Sequence, residues 1–95
     1  MSKRTYVQEK TLDKGVQGVQ LQKRGESKIC RVGRHKVVVT NVGKDKRGRT
    51  VHAASVIKPN GKLGETHAGH GSVTKAVSGA LRKNGVDVKK KRRST

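Results

Sequence analysis

Residues 28–62, KICRVGRHKVVVTNVGKDKRGRTVHAASVIKPNGK, decide the architecture. Val37, Val38, Val39, Val42, Val51, Val56 and Ile57 are β-branched and suit a pleated surface. Glycines and Lys/Arg-rich turns part them, so the stretch reads as successive short strands. Residues 29–32 and 35–42 are expected to pair around Gly33-Arg34, where glycine supplies the positive φ of a tight hairpin. Residues 43–48 then project as a basic loop, and residues 49–58 form the next strand, with Val51, Ala53, Ser55 and Ile57 on one face. Pro59-Asn60-Gly61 is a turn, because Pro presets φ and Asn-Gly accepts left-handed geometry. Residues 62–66 return beside it as a short strand.

The charge of this stretch is lopsided. Lys28, Arg31, Arg34, Lys36, Lys44, Lys46, Arg47, Arg49, Lys58 and Lys62 stand against Asp45 alone, a net +9, which is half of the chain's formal +18. A folded basic sheet is a surface for polyanions. With 24 Lys and Arg against six acids and a sequence pI near 11.1, the chain carries the electrostatic footprint of a nucleic-acid binder.

At 95 residues the chain is one small domain with tails. Apolar residues make up 29%, Phe and Trp are absent, and Tyr6 is the one aromatic, so the core is thin and aliphatic. A small buried fraction together with self-repulsion predicts marginal stability that rises when an anion binds. No apolar run is long enough to span a bilayer and the one amphipathic helix lacks large apolar anchors, which excludes a membrane partner from the reading. Cys30 is the single cysteine and forms no intrachain disulfide. The start MSKRTYVQEK carries no apolar signal-peptide core. The expected location is the cytoplasm, in association with a nucleoid or virion, or the nucleus of a eukaryotic host.

Outward from the central stretch, residues 1–14 read as a flexible basic arm with a short strand at 5–8. Val16, Val19 and Leu21, spaced among Gln17, Gly18, Gln20 and Gln22, suggest a half-buried strand with an irregularity at Gly18, closed by a turn at 23–26. On the other side a helix over 72–84 is the clearest single element. Ser72 caps it, and Val73, Ala76, Val77, Ala80 and Leu81 fall at i, i+3, i+4, i+7 and i+8, one apolar stripe. Lys75, Arg82 and Lys83 take the solvent side, and Asn84-Gly85 ends the helix through a left-handed cap, with Val86 closing the motif. Gly79 lowers helix propensity by about 1 kcal/mol relative to Ala, so close approach to the sheet is its expected reason. Lys89, Lys90, Lys91, Arg92 and Arg93 form a like-charged run that stays disordered until it meets an anion. The expectation is therefore an α+β domain over 15–88. A small antiparallel sheet of about four or five strands carries one C-terminal helix on one face, between a basic arm at 1–14 and a basic tail at 89–95.

The strand and turn cations are the first candidate site, joined by Lys75, Arg82, Lys83 and the tail. Each Lys or Arg can neutralise a phosphate and release counterions, and Arg can grip one with two parallel hydrogen bonds. Ala68-Gly69-His70-Gly71-Ser72 is the second candidate, either a phosphate cradle at the helix N-terminus or an ordinary capped turn. From Thr50 to Leu81 the order of strands, Gly-rich turn and helix loosely resembles the last part of a double-stranded RNA-binding domain, with Gly69, Gly71, Ser72, Ala76 and Ala80 in similar places. The lysine pair that follows the Ser in that family is replaced by Val73 and Thr74, and the family's first helix is missing.

The histidines give weaker signals. His67 and His70 are three apart, His35, His52 and Cys30 lie elsewhere, and nothing has the paired-cysteine spacing of a structural zinc site, so no metal or other cofactor is expected. A small ribonuclease would use His67 or His70 as acid and base with Lys75 beside the transition state, but Glu65 is the only nearby acid to orient such a base. The chain is accordingly read as a binding protein and not an enzyme. It reads mainly the phosphate backbone of structured RNA or duplex DNA, with weak sequence preference, as a ribonucleoprotein, nucleoid or virion component. The dearth of aromatics argues against a base-stacking single-strand platform. An acidic protein surface is the alternative partner, and an uncovered edge strand offers a route to a homodimer.

Overall fold

The computed structural model describes residues 5–89. Eight elements follow in order: β1 Thr5–Gln8, α1 Glu9–Val16, β2 Ser27–Val32, β3 His35–Lys44, β4 Thr50–Ile57, β5 Leu63–His70, α2 Val73–Lys83 and β6 Val86–Lys89. Strands β2-β3-β4-β5 form one antiparallel sheet in sequence order, and β1 pairs with β6 as a separate two-stranded parallel ribbon. This is the α+β class that the strand pattern and the helix stripe predict.

Period-two alternation sorts the sheet into two faces. Cys30 and Val32 of β2, Val37 and Val39 of β3, and Ala54 and Val56 of β4 point inward and are buried. Onto them α2 lays its stripe, in which Ala76, Val77, Ala80 and Leu81 are wholly buried. Each fully buried Val or Leu contributes roughly 1.5–3 kcal/mol. Ser72 Oγ accepts from the Lys75 amide at 3.1 Å, the expected cap, and Gly85 leaves the helix at φ 83°. Gly79 is required where it stands, because a Cβ there would overlap the His67 ring of β5. Among the described residues, no helix covers the opposite face of the sheet. Val51, Ala53, Ser55 and Ile57 do share a face, and it is this outer one, while His52 turns inward with Ala54 and Val56.

Three expectations change. From Thr5 onward the chain is not an arm, since β1 runs beside β6 and Glu9–Val16 is a helix that buries Leu12 against the core and packs Val16 beside it. That helix also replaces the start of the strand expected over 16–22. Gly15 sits so close to the Arg31 carbonyl that a side chain would clash there, and Leu21 lies in a loop whose carbonyl accepts from the buried Asn41 Nδ2 at 2.7 Å. Finally, β5 runs four residues further than the expected 62–66. Gly69 passes beneath the Ala76 backbone of α2, and His70, Gly69 and Ala68 pair with Val51, His52 and Ala53. Among the described residues no helix is long and apolar enough to cross a membrane.

Candidate nucleic-acid interface

The hairpins place the cations. Gly33, at φ 62°, turns β2 into β3, so that Val32 pairs with His35, Arg31 with Lys36 and Cys30 with Val37. Arg31 and Lys36 are thus direct cross-strand neighbours on the outer face, and both are exposed. Like charges directly opposite each other destabilise a ladder. No carboxylate offsets this pair within the sheet, because the four strands hold a single acid, Glu65 on β5. Arg34 in the same turn, Lys36, and Lys58 at the end of β4 line one groove, whose floor includes Val56, Ile57 and Val86. Lys62 belongs to the adjoining β4–β5 turn, closed by Gly61 N donating to Lys58 O and Lys58 N to Lys62 O, each at 2.8 Å.

The β3–β4 hairpin closes in the same way at the other end of the sheet. Gly48 N donates to Asp45 O at 3.0 Å, and Asp45 N donates to Arg49 O at 2.9 Å. Because β3 continues through Lys44, the expected loop at 43–48 shrinks to a tight turn with Lys46 and Arg47 exposed at its tip. Asp45 organises that tip. Its Oδ1 accepts the Arg47 and Arg49 amides at 2.9 Å each, and its Oδ2 accepts Arg49 Nε at 3.3 Å and His70 Nδ1 at 3.0 Å. The hydrogen bond from His70, then that from the Arg49 amide, hold the Asp45 carboxyl at about 2, far below the usual carboxylate range. The ionised Asp45 can only accept in this hydrogen bond, so His70 Nδ1 carries the shared proton.

The candidate cations therefore do not cover the sheet face. They divide between its two ends, with Arg34, Lys36, Lys58 and Lys62 at one and Lys44, Lys46, Arg47 and Arg49 at the other. The eight residues of β4 separate the ends by roughly 25 Å at about 3.3 Å per residue. Between them the outward positions are Val38, Thr40, Ala53, Ser55, Thr66 and Ala68, which carry no charge, and Ser55 Oγ bonds Thr66 Oγ1 at 2.6 Å. The physical reason is that the outward positions in the middle of the strands hold aliphatic and hydroxyl residues, while the cations cluster in the turns and, as Arg31 and Lys36, beside them at the strand ends. Lys75 sits in the first turn of α2 and Arg82 and Lys83 in the last, so the helix repeats the division. Lys83 Nζ donates to Thr66 O at 3.2 Å. Lys28, on β2, is exposed. Lys89 lies 4.4 Å from the Tyr6 ring centroid, while Lys90, Lys91, Arg92 and Arg93 fall outside the described residues.

The stretch 68–72, read from the sequence as either a phosphate cradle or an ordinary capped turn, is mostly not a loop. Ala68, Gly69 and His70 are strand, and only Gly71-Ser72 connects to α2. Sequence reasoning also finds no acid for the histidines beyond Glu65, whereas Asp45, 25 residues away, meets His70. No local spacing signals that pair. His52 has no role in the sequence pattern, although it alternates with Ala54 and Val56 on the inner face; burial pushes its pKa down, and its Nδ1 has no hydrogen-bond partner. Burial likewise lowers His35, and Arg34 adds to the effect. Burial raises the Cys30 thiol, against a smaller opposing effect of Lys28. Among the described residues no three His, Cys, Asp or Glu side chains come together as a metal site.

Comparison with protein-family models, with curated proteins and with solved structures finds no match. A helix, α1, does precede the sheet where the sequence reading expects none, and none of the comparisons supports the likeness to a double-stranded RNA-binding domain.

Proposed function

We propose that this protein binds nucleic acid through the phosphate backbone, with structured RNA or duplex DNA as its partner and weak sequence preference. The observation that carries the reading is the uncompensated pair Arg31 and Lys36, side by side across β2 and β3, with Arg34 and Lys58 next to Lys36 around one groove. Such an arrangement opposes folding until an anion lies between the charges, and a phosphate is the anion that Arg grips with paired hydrogen bonds. The second group of cations, roughly 25 Å away along β4, suits a polyanion with phosphates at both ends of the sheet better than a small anion. The neutral face between them matches backbone reading without base stacking.

The test is purification with and without nuclease and salt washing, followed by titration with matched duplex RNA, duplex DNA and single strands at two salt concentrations. The reading predicts steeply salt-sensitive binding with a duplex ranked first. Weak, unranked binding, together with a protein partner that survives nuclease, would transfer the charges to an acidic protein surface. A homodimer through an edge strand has β2 as its route, because the Asn84 side chain already occupies the Glu65 amide and carbonyl on the β5 edge at 2.9 and 3.1 Å.

The Asp45–His70 pair favours a second reading, cleavage of RNA with His70 Nε2 as the base. Binding is preferred because among the described residues no second titratable acid is assembled to protonate the leaving oxygen, His67 being packed beneath Gly79. RNA that stays intact with the purified protein upholds binding. Cleavage that is lost in H70A would overturn it.

A further inference from the structure

At the end of the sheet away from Arg34, a groove runs between the loop at residues 19–22 and the start of α2. Thr50 and His52 line it from β4, Lys44 lines it from β3, and Gly71, Ser72 and Val73 line it from the helix entry. His52 is only 7% exposed. Its Nδ1 is buried without a hydrogen-bond partner, and among the described residues no donor or acceptor bonds its other ring nitrogen. A buried lone pair left unpaired costs less than a buried N–H left unpaired, because a carbonyl or imine acceptor is the group more often found under-satisfied. The proton therefore resides on Nε2, and burial keeps the ring neutral near neutral pH. His52 is thus a fixed donor without an acceptor.

The other groups at this groove have the same character. The amides of Val73, which lines the groove, and of Thr74, next to it in the first turn of an 11-residue helix, have no carbonyl within the helix to bond. The Lys75 amide is already taken by Ser72 Oγ and the Gly71 amide by Thr50 O. The carboxylates nearest in sequence to the lining residues are occupied. Glu26 accepts the Gln22 and Lys23 amides, and Asp45 accepts from His70 and Arg49. Donors and a lysine, with the carboxylates nearest in sequence engaged elsewhere, define a site for an oxyanion.

We propose that this groove binds one phosphate group, held by His52 Nε2, the Val73 and Thr74 amides and Lys44, and that in the nucleic-acid complex the phosphate belongs to the backbone. The second half of this statement rests on the function proposed above; the first does not. It extends the interface to a discrete subsite at the end of the sheet opposite the Arg31–Lys36 pair, built partly from neutral donors and so less sensitive to salt than an exposed lysine.

The experiment is amide and imidazole NMR on the full chain, titrated with inorganic phosphate and separately with a duplex RNA. The expected result is an Nε2-protonated His52 and saturable downfield shifts of the Val73 and Thr74 amides, larger than those at Gly48 or Gly61 in the exposed turns. H52F, which keeps the ring volume, and K44A should each weaken phosphate binding at these amides by about tenfold, as expected for a hydrogen bond to a charged group. If H52F does not fold, K44A and the wild-type shifts decide. In R31A/R34A/K36A/K58A the phosphate response of Val73 and Thr74 should persist while duplex affinity falls. Phosphate shifts without duplex shifts would make free phosphate the source and overturn the backbone assignment alone. Absence of saturable shifts at Val73 and Thr74, or a proton on His52 Nδ1, would overturn the site even if duplex binding is strong.

Discussion

Replacing Gly79 by Ala sets two effects of opposite sign against each other. In an unobstructed helix the change stabilises by about 1 kcal/mol, because Gly loses more backbone freedom on folding. Here the new Cβ would overlap Cγ, Cδ2 and Nε2 of His67, so the whole imidazole must move and not only its outer edge. His67 faces α2 from the inner side of β5, opposite Ala54, so its ring has the helix above it and the wholly buried Ala54 beside it. Overpacking of this kind costs about 1–3 kcal/mol. G79A should therefore be neutral or destabilising by up to about 2 kcal/mol. In an H67A background the obstruction is gone and G79A should stabilise by about 1 kcal/mol, raising the melting temperature by roughly 4–8 °C for a domain of this size. Urea and thermal unfolding of the four proteins of the cycle at fixed salt measure the coupling, expected at about 1–3 kcal/mol. If G79A stabilised equally in both backgrounds, α2 would not pack on β5 at this point and the register of helix on sheet would be wrong.

Two further perturbations test the core and the acid response. L81A removes the largest wholly buried side chain and should cost about 2–5 kcal/mol, enough to unfold much of a marginal domain at 37 °C, as read by circular dichroism. His35 and His52 have folded pKa values below the ordinary 6.5, so the unfolded chain takes up protons first and the melting temperature should fall as the pH drops below about 6.5; H52F should blunt the fall, and a flat profile from pH 7 to 5 would contradict the burial. Asp45 is lowered from 3.8 to about 2, so its contribution is complete above the unfolded value and is lost as the pH falls through that window. D45N should remove this last step and loosen the β3–β4 turn, seen as faster exchange of the Arg47 and Arg49 amides.

What could be read from the residues follows from the range of the interactions. The α2 stripe, its Ser72 cap and its Gly85 exit are local and periodic, and the hairpins at Gly33 and Pro59-Asn60-Gly61 announce themselves through residues that permit or preset their backbone angles. Helix α1 hides because its eight residues offer only Leu12 and Val16 as an apolar pair and include Gly15. The last three residues of β5 read as a loop, since Gly69 and His70 lack β propensity and their place is fixed by pairing with β4 and by the nearness of Ala76. Parallel pairing of β1 with β6, and Asp45 with His70, join segments far apart in sequence that carry no complementary pattern. The cations themselves are all visible in the sequence. Their division between two ends is not, because it depends on which strand residues point outward and which hairpins share an end.

The most direct test of the central claim is the salt dependence of duplex DNA binding for the wild type and for R31A/R34A/K36A/K58A. If these four side chains each neutralise a phosphate, the slope of log K against log salt becomes shallower by about 3 to 4 in the variant, at about 0.9 for each phosphate no longer neutralised. An unchanged slope, with a folded variant and equal affinity, would mean that the charges at this end of the sheet do not touch the backbone, and would contradict the proposed interface.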